Sequence, residues 1–391
     1  MTHEELKKIA TADVYLAGQI VGRLARTIEG GVEFSYLPTY KGPEITRTLP
    51  LGKVSAGRGV GALPPFFAGL LPEGYRLTLL QKSTKTSLDD ELTLLLAVGQ
   101  DVPGNVQVVP AGQALSEVRA ALRGSPQELR FDSVFAAVDE QSLPGVQAKA
   151  SAQMMTSSVV FDNKPAILKV NPQNYPLLVR NEYEHLLSAA ALGVPVVSAE
   201  ILKDAVGEEG LLVQRFDREC TGEKIGRLAV EDATQLMGLY PAQKYSVASE
   251  DLVEAVSGAV SSPLIAVRNL YLQFLFAWLT GNGDLHAKNI SVLTTSKGHR
   301  GVAPVYDLPC TLIYGDDTMA LELNGKVKKL KKKDWDDFAA TIGLPAKAAR
   351  SAQVLALRAA QQVDLSAIGF SGSTLRGTER ELRFRRYELE G

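Results

Sequence analysis

Several kinds of feature are scarce in this 391-residue chain, and each absence narrows the reading. Cysteine is almost missing: Cys220 and Cys310 are the two present. Two thiols cannot staple a chain of this length, which is long enough to bury a sizeable core, so the expectation is a reducing compartment with both thiols as inert filler. No apolar run reaches the ~18 residues a membrane helix needs. The most apolar stretch, 264–280, is broken by Arg268, Asn269 and Gln273. The N-terminus, MTHEELKK, has acids where a secretory signal has bases, and the reading is a soluble, cytoplasmic protein with no membrane partner. Charge of one sign is lacking too: 42 Lys and Arg meet 44 Asp and Glu. A surface that is a nucleic-acid sleeve throughout is thereby excluded, though a local basic patch is not. Fixed-period repeats and long low-complexity tracts are absent, which removes solenoids and fibrous arrays. What remains is an ordinary globular composition, 45% apolar and 22% charged, which excludes wholesale disorder.

Three regions differ in pattern. Residues 1–112 are rich in strand and turn signals. Asp13 to Ala25 reads as two strands around Gly18, a hairpin, and Val32 to Leu37 as another strand. Prolines at the start of Leu63 to Leu80 can open a helix, Pro72-Glu73-Gly74 marks a turn, and Asp89 to Val98 reads as helix. Residues 131–229 mix strands and helix. Ser158 to Asp162 and Ala166 to Val170 read as strands joined by Asn163-Lys164-Pro165. Arg180 to Leu192 reads as a helix stopped by Gly193, and Val196 to Leu202 and Gly210 to Phe216 as two more strands. Residues 230–391 are mostly helical. The expected fold class is therefore α/β (α+β), with strand-rich parts before a helical C-terminal part.

The most specific stretch is Gly281 to Leu293, GNGDLHAKNISVL. Asp284 and Asn289 stand five apart in a polar loop between two buried elements, the D-x-x-x-x-N spacing of a kinase catalytic loop. Phosphoryl transfer needs a carboxylate to orient and receive the nucleophile's proton, and an amide oxygen on Mg²⁺ nearby. The plainer alternative is a polar helix-to-strand turn. Asp307, in PVYDL, follows 18 residues after Asn289, where kinases put a metal-binding Asp; Leu-Pro follows it instead of Phe-Gly, and alone it reads sooner as a turn or helix cap, the metal reading prevailing only in company with Asp284 and Asn289. Lys169, mid-strand in AILKV, faces burial or a cleft and calls for a partner, unless it is an edge-strand gatekeeper. Glu182, thirteen residues on, is either its ion-pair partner or a first-turn acid favoured by the helix dipole. Ser142 to Ser151, SLPGVQAKAS, fits neither the Walker pattern nor G-x-G-x-x-G, but precedes the Lys169 strand pair where a nucleotide-covering loop belongs.

Together these pieces resemble the HipA family, the serine/threonine kinase toxins of bacterial type II toxin–antitoxin modules. The resemblance runs through the N-terminal hairpin, FFAGLLPEG, SLPGVQAK, ILKV, RNEYEHLL, LLVQRFDR, GDLHAKN and PVYDL. It implies a two-lobed protein-kinase-like fold with an added N-terminal subdomain over 1–112, a nucleotide-binding part over 131–229 and a helical lobe carrying the catalytic loop over 230–391. It also implies ATP and Mg²⁺ as cofactors. In that reading Lys169 meets the phosphates, Asp284 is the catalytic aspartate with His286 and Lys288 beside it, and Asn289 and Asp307 hold Mg²⁺. Gly145, Val146, Gln147 and Lys149 belong to the nucleotide loop. Gln214, Arg215 and Phe216 form the hinge against adenine, with Gln214 where glutamate is usual, and Ser142 falls at the autophosphorylated serine. The implied partners are a protein substrate, since relatives modify translation components including a glutamyl-tRNA synthetase, and a small helix-turn-helix antitoxin of the HipB kind, with DNA reached mainly through it.

Two other classes fit part of the pattern. GDLHAKNI is close to the loop of small-molecule phosphotransferases of the aminoglycoside or choline kinase type, but the first ~110 residues and Ser142-Leu-Pro-Gly are unlike them. A catalytically silent nucleotide-binding scaffold is the third class. The lysine-rich run Gly325 to Lys333 reads as a solvated face offset by Asp334, Asp336 and Asp337, or as a nucleic-acid contact, and Arg376 to Arg386 as a solvated helix.

Overall fold

The computed structural model describes residues 3–116, 130–131, 154–161, 164–172, 174–222 and 224–390. The chain divides into two compact units, one of residues 1–120, 217–244 and 293–298, the other of residues 121–216, 245–292 and 299–391.

The first unit is built on an antiparallel sheet of β1 (Thr11–Leu16), β2 (Gln19–Arg26), β3 (Val32–Tyr36), β4 (Ser55–Ala56) and β5 (Val106–Pro110), in the order β4-β3-β2-β1-β5. The expected hairpin turns at Ala17 and Gly18, both at positive φ (50° and 82°), the geometry that matches strand twist. Period-2 alternation sends Val14, Leu24, Phe34 and Val108 into a core with Phe67, Leu92 and Leu95. Helix α1 (Gly74–Thr84) begins at Gly74, φ +55°, so the expected turn there is also a helix start. Helix α2 (Glu91–Val98) is capped by Asp90, which accepts from the Thr93 N–H and also receives Arg26 at 2.6 Å. Cys220 is exposed on a small hairpin, paired across it with Ile225.

The second unit holds an antiparallel sheet of β6 (Met155–Phe161), β7 (Lys164–Val170), β8 (Ala199–Lys203) and β9 (Glu209–Gln214), in the order β6-β7-β9-β8. Lys164 and Pro165, expected in a turn, lie inside β7; Pro165 is tolerated because its carbonyl is the group in use, accepting from the Arg215 N–H at 3.1 Å. Helix α3 (Leu178–Ala189) runs into a short 3₁₀ turn and stops at Gly193, φ +65°, as its glycine signal predicts. Helix α4 (Pro263–Thr280) is exposed over its first turn and buried without a break from Leu270 to Thr280, where other helices cover it on several sides. Those helices include α5 (Lys332–Thr341), α6 (Ala346–Ala360) and α7 (Gly372–Glu390). Tyr271, Phe274, Trp335 and Phe338 form an aromatic cluster at their centre, with Tyr271 and Phe338 stacked at 5.9 Å.

Two expectations about the C-terminal region meet different outcomes. The lysine run is a solvated, acid-paired face: Lys326 meets Asp334 at 2.7 Å and Lys331 meets Glu388 at 3.6 Å. Helix α7 is not solvated all round. Arg385 is buried, stacks 3.8 Å over the Trp278 ring, and donates to the carbonyls of Trp278 and Asp317, so one arginine of the tail serves as core. Among the described residues, no helix is long and apolar enough to cross a membrane.

Candidate active site

Alternation along β7 sets the first element of the site. Ala166, Leu168 and Val170 turn into the core, which sends Lys169 to the opposite face. Its ammonium lies 2.7 and 2.9 Å from the two carboxylate oxygens of Glu182, one turn into α3, and 3.1 Å from Asp307 Oδ1. The Lys169 side chain is 13% exposed and that of Glu182 1%, and β7 is paired on both sides, so Lys169 is no edge gatekeeper and Glu182 is its ion-pair partner. Burial opposes the Lys169 charge, but the Asp307 and Glu182 carboxylates outweigh it and hold the ammonium above its ordinary range. Burial likewise pushes the Glu182 carboxyl up, against the pull of Lys169, with Asp307 as a like charge beside it. A three-member buried cluster of this kind adds little net stability, because desolvation cancels most of the attraction; its value lies in fixed geometry.

The second element is the loop after α4. Gly281 ends the helix at φ +75°, where an added Cβ would lie 2.8 Å from Leu312. Its carbonyl accepts from the N–H groups of Thr311 and Leu312, and the Thr311 hydroxyl accepts from the Gly283 N–H at 2.7 Å. Gly283 is equally constrained, since a Cβ there would come within 2.6 Å of Asp316 and of the Thr318 carbonyl. Asp284 follows, 2% exposed, with its N–H on Asn282 Oδ1 at 2.7 Å and its carbonyl accepting from His286 N–H and from Asn289 Nδ2 at 2.9 Å. That last bond fixes which end of the Asn289 amide is the nitrogen, so that Oδ1 is the end with lone pairs to offer a cation.

Asn282 ties the two elements together. While its Oδ1 holds the Asp284 N–H, its Nδ2 donates to the Asp307 carbonyl at 3.4 Å. Asp307 itself takes the left-handed region at φ +57°, rare for a non-glycine residue and enriched at functional sites. Just beyond it, the Asn181 side chain of α3 grips the Cys310 backbone from both sides, accepting at 2.8 Å and donating at 2.9 Å. Lys169, Glu182, Asp284, Asn289 and Asp307 are therefore joined through one hydrogen-bonded frame. His286 caps the short turn that holds Lys288, and Tyr306, next to Asp307, donates to the Lys288 carbonyl at 2.8 Å. Phe216 packs on the Tyr306 ring at 5.5 Å, while Gln214 and Arg215 close β9 with their N–H groups on the Ser198 and Pro165 carbonyls. Gly145, Val146, Gln147, Lys149 and Ser142 lie outside the described residues.

Asn181, Asn282, Thr311 and Tyr245 were not singled out from sequence. Asn282 is the one with a signal, a polar residue two positions before Asp284 in an otherwise tight G-x-G turn; the rest act across sequence gaps that no local pattern records.

Comparison with known proteins covers nearly the whole chain. A family model described as the HipA-like C-terminal domain matches residues 141–363, and one described as the HipA N-terminal domain matches residues 12–109. Y4dM of Sinorhizobium fredii, named as a kinase by inference, is 30% identical over 368 residues, 85% of each chain. The serine/threonine-protein kinase toxin HipA of Shewanella oneidensis is 25% identical over 346 residues, 79% of this chain and 77% of that one. A chain in the solved complex of Shewanella oneidensis HipA, HipB and operator DNA has the same fold, with a TM-score of 0.75 at 20% identity over 97% of this chain and 96% of its own. The N-terminal match separates the chain from the aminoglycoside and choline kinases, and with both domains present in order the chain belongs to the HipA family.

Proposed function

We propose that this protein is an ATP-dependent serine/threonine protein kinase that acts as the toxin of a toxin–antitoxin pair. The observation that carries the reading is the Lys169 ammonium between Glu182 and Asp307, linked through Asn282 to the loop of Asp284. In the reaction, an acceptor serine hydroxyl gives its proton to the Asp284 carboxylate as its oxygen bonds to the γ-phosphorus. The bond from that phosphorus to the β,γ-bridging oxygen breaks, and ADP leaves with the electron pair. Lys169 steadies the phosphates, and Lys288 stands by the group in transfer. Asn289 Oδ1 and the Asp307 carboxylate fit Mg²⁺, a hard cation that takes oxygen donors and needs only one or two protein ligands beside phosphate. Bound there, it would neutralise charge on the phosphates. Adenine recognition falls to the Phe216 N–H and the carbonyls of Gln214 to Phe216, because the N–H groups of Gln214 and Arg215 are spent in the sheet.

The remaining assignments rest on family membership. Gly145, Val146, Gln147 and Lys149 cover the phosphates, and Ser142 is an autophosphorylation site whose modification silences the enzyme by adding about −1.5 to −2 charges beside the triphosphate. The substrate is a protein of the translation apparatus, and the neutralising partner a HipB-like helix-turn-helix protein. The test is transfer of label from γ-labelled ATP by the purified chain, together with growth after expression without a partner. Wild type should label protein and arrest growth; Asp284→Ala, folded by circular dichroism, should do neither. Equal toxicity of the two proteins would refute the kinase reading.

A further inference from the structure

The Tyr245 hydroxyl donates to Asp284 Oδ1 at 2.6 Å, and its ring stands edge-on to His286 with centroids 5.0 Å apart. The loop backbone around Asp284 is fixed by Asn282, His286 and Asn289. None of those bonds sets the aspartate's terminal torsion, which in an unrestrained carboxylate is broad and roughly two-fold. The phenol hydroxyl restrains it, because a short charge-assisted bond to one oxygen also orients the other. A base must meet the acceptor hydroxyl within ~2.6–3.2 Å, and misplacement of a reacting group lowers the rate more than it lowers binding.

We infer that Tyr245 is a positioning residue for phosphoryl transfer, orienting the Asp284 carboxylate toward the acceptor hydroxyl. The inference rests on the reading of Asp284 as the base. It assigns Tyr245 no contact with ATP, so nucleotide binding should be indifferent to its hydroxyl. The phenylalanine variant keeps the ring against His286 and deletes the donor alone.

The experiment uses the full chain with Mg²⁺ and γ-labelled ATP, measuring single-turnover transfer of label to the chain itself across ATP concentrations. Calorimetric ATP affinity and melting temperature are measured in parallel, the affinity in the presence of Mg²⁺. Tyr245→Phe should lower the maximal transfer rate about tenfold or more, the loss expected for one hydrogen bond to a charged group. Half-saturating ATP and ATP affinity should stay at wild-type values, while the melting temperature falls modestly because a buried carboxylate loses one donor. An unchanged rate would overturn the inference. So would a faster rate, which would make the phenol a competitor of the acceptor hydroxyl, or a parallel loss of rate, affinity and melting temperature, which would make it a packing residue. If the wild-type chain takes no label while it binds ATP, the kinase reading fails and this inference with it; a labelled wild type beside an equally labelled Tyr245→Phe removes the inference alone.

Discussion

Lys169 decides more than any other single side chain. One ammonium serves two carboxylates, and Glu182 has almost no access to water. Replacing it therefore has two separable effects. In Lys169→Ala the loss of the proposed phosphate contact should weaken Mg²⁺-ATP binding by about 1.5–3 kcal/mol, or about 10–150-fold, measured by calorimetry. The same variant strands a buried carboxylate, which typically costs about 3–5 kcal/mol of folding stability, measured by urea denaturation. The double variant Lys169→Met with Glu182→Leu should recover most of the stability and none of the binding, because an apolar pair of similar volume needs no counter-charge. Recovery of ATP affinity in the double variant would mean that Lys169 lies outside the nucleotide site.

Helix α3 gathers, within five consecutive positions, a charge partner, a backbone clamp and a buried imidazole: Glu182, Asn181 and His185. Asn181→Ala leaves the Cys310 N–H and carbonyl without the amide that serves both, at about 1–3 kcal/mol for each buried group left unsatisfied, and should lower the melting temperature accordingly. His185 is fully buried with Nδ1 2.7 Å from the Asn181 carbonyl, and burial holds its imidazole down at about 4. The folded protein thus binds that proton less readily than the unfolded chain, whose histidine titrates near ~6.5. Stability from this group is complete above about pH 6.5 and falls as pH drops towards 4, by about 2 kcal/mol between pH 7 and pH 5. Urea titrations at the two pH values measure the loss, and His185→Gln should abolish that part of the slope. Elements of this kind were legible in the sequence where one period ran unbroken: α3 with its stop at Gly193, the strand of Lys169, and the apolar helix before Asp284. The candidate site was legible where chemistry and spacing coincide, as at Asp284 and Asn289. The Asn181 clamp, the Tyr245 hydroxyl and the buried Arg385 were not, because each depends on a partner 39 or more residues away, which the fold alone brings near.

For the molecule as a whole, a near-neutral net charge of −2 argues against a surface that is basic throughout. The lysine run agrees, since Lys326, Lys328 and Lys331 already face Asp334, Asp317 and Glu388. Charge at the centre of the second unit is less balanced. Lys169 offsets only one of Glu182 and Asp307, and Asp284 adds a further acid, so with every acid ionised these four groups together are anionic before any ligand arrives. A bare triphosphate would enter against that field, and a lone cation would enter with it but without phosphate oxygens to complete its shell. Nucleotide and Mg²⁺ should accordingly favour one another's binding. Calorimetric titration of ATP with and without Mg²⁺ should give tighter binding with it, and by thermodynamic reciprocity saturating ATP should raise Mg²⁺ affinity by the same factor. Asp307→Asn, which removes one acid and one cation ligand together, should shrink that factor towards one, leaving a pocket that no longer distinguishes metal-loaded from metal-free nucleotide.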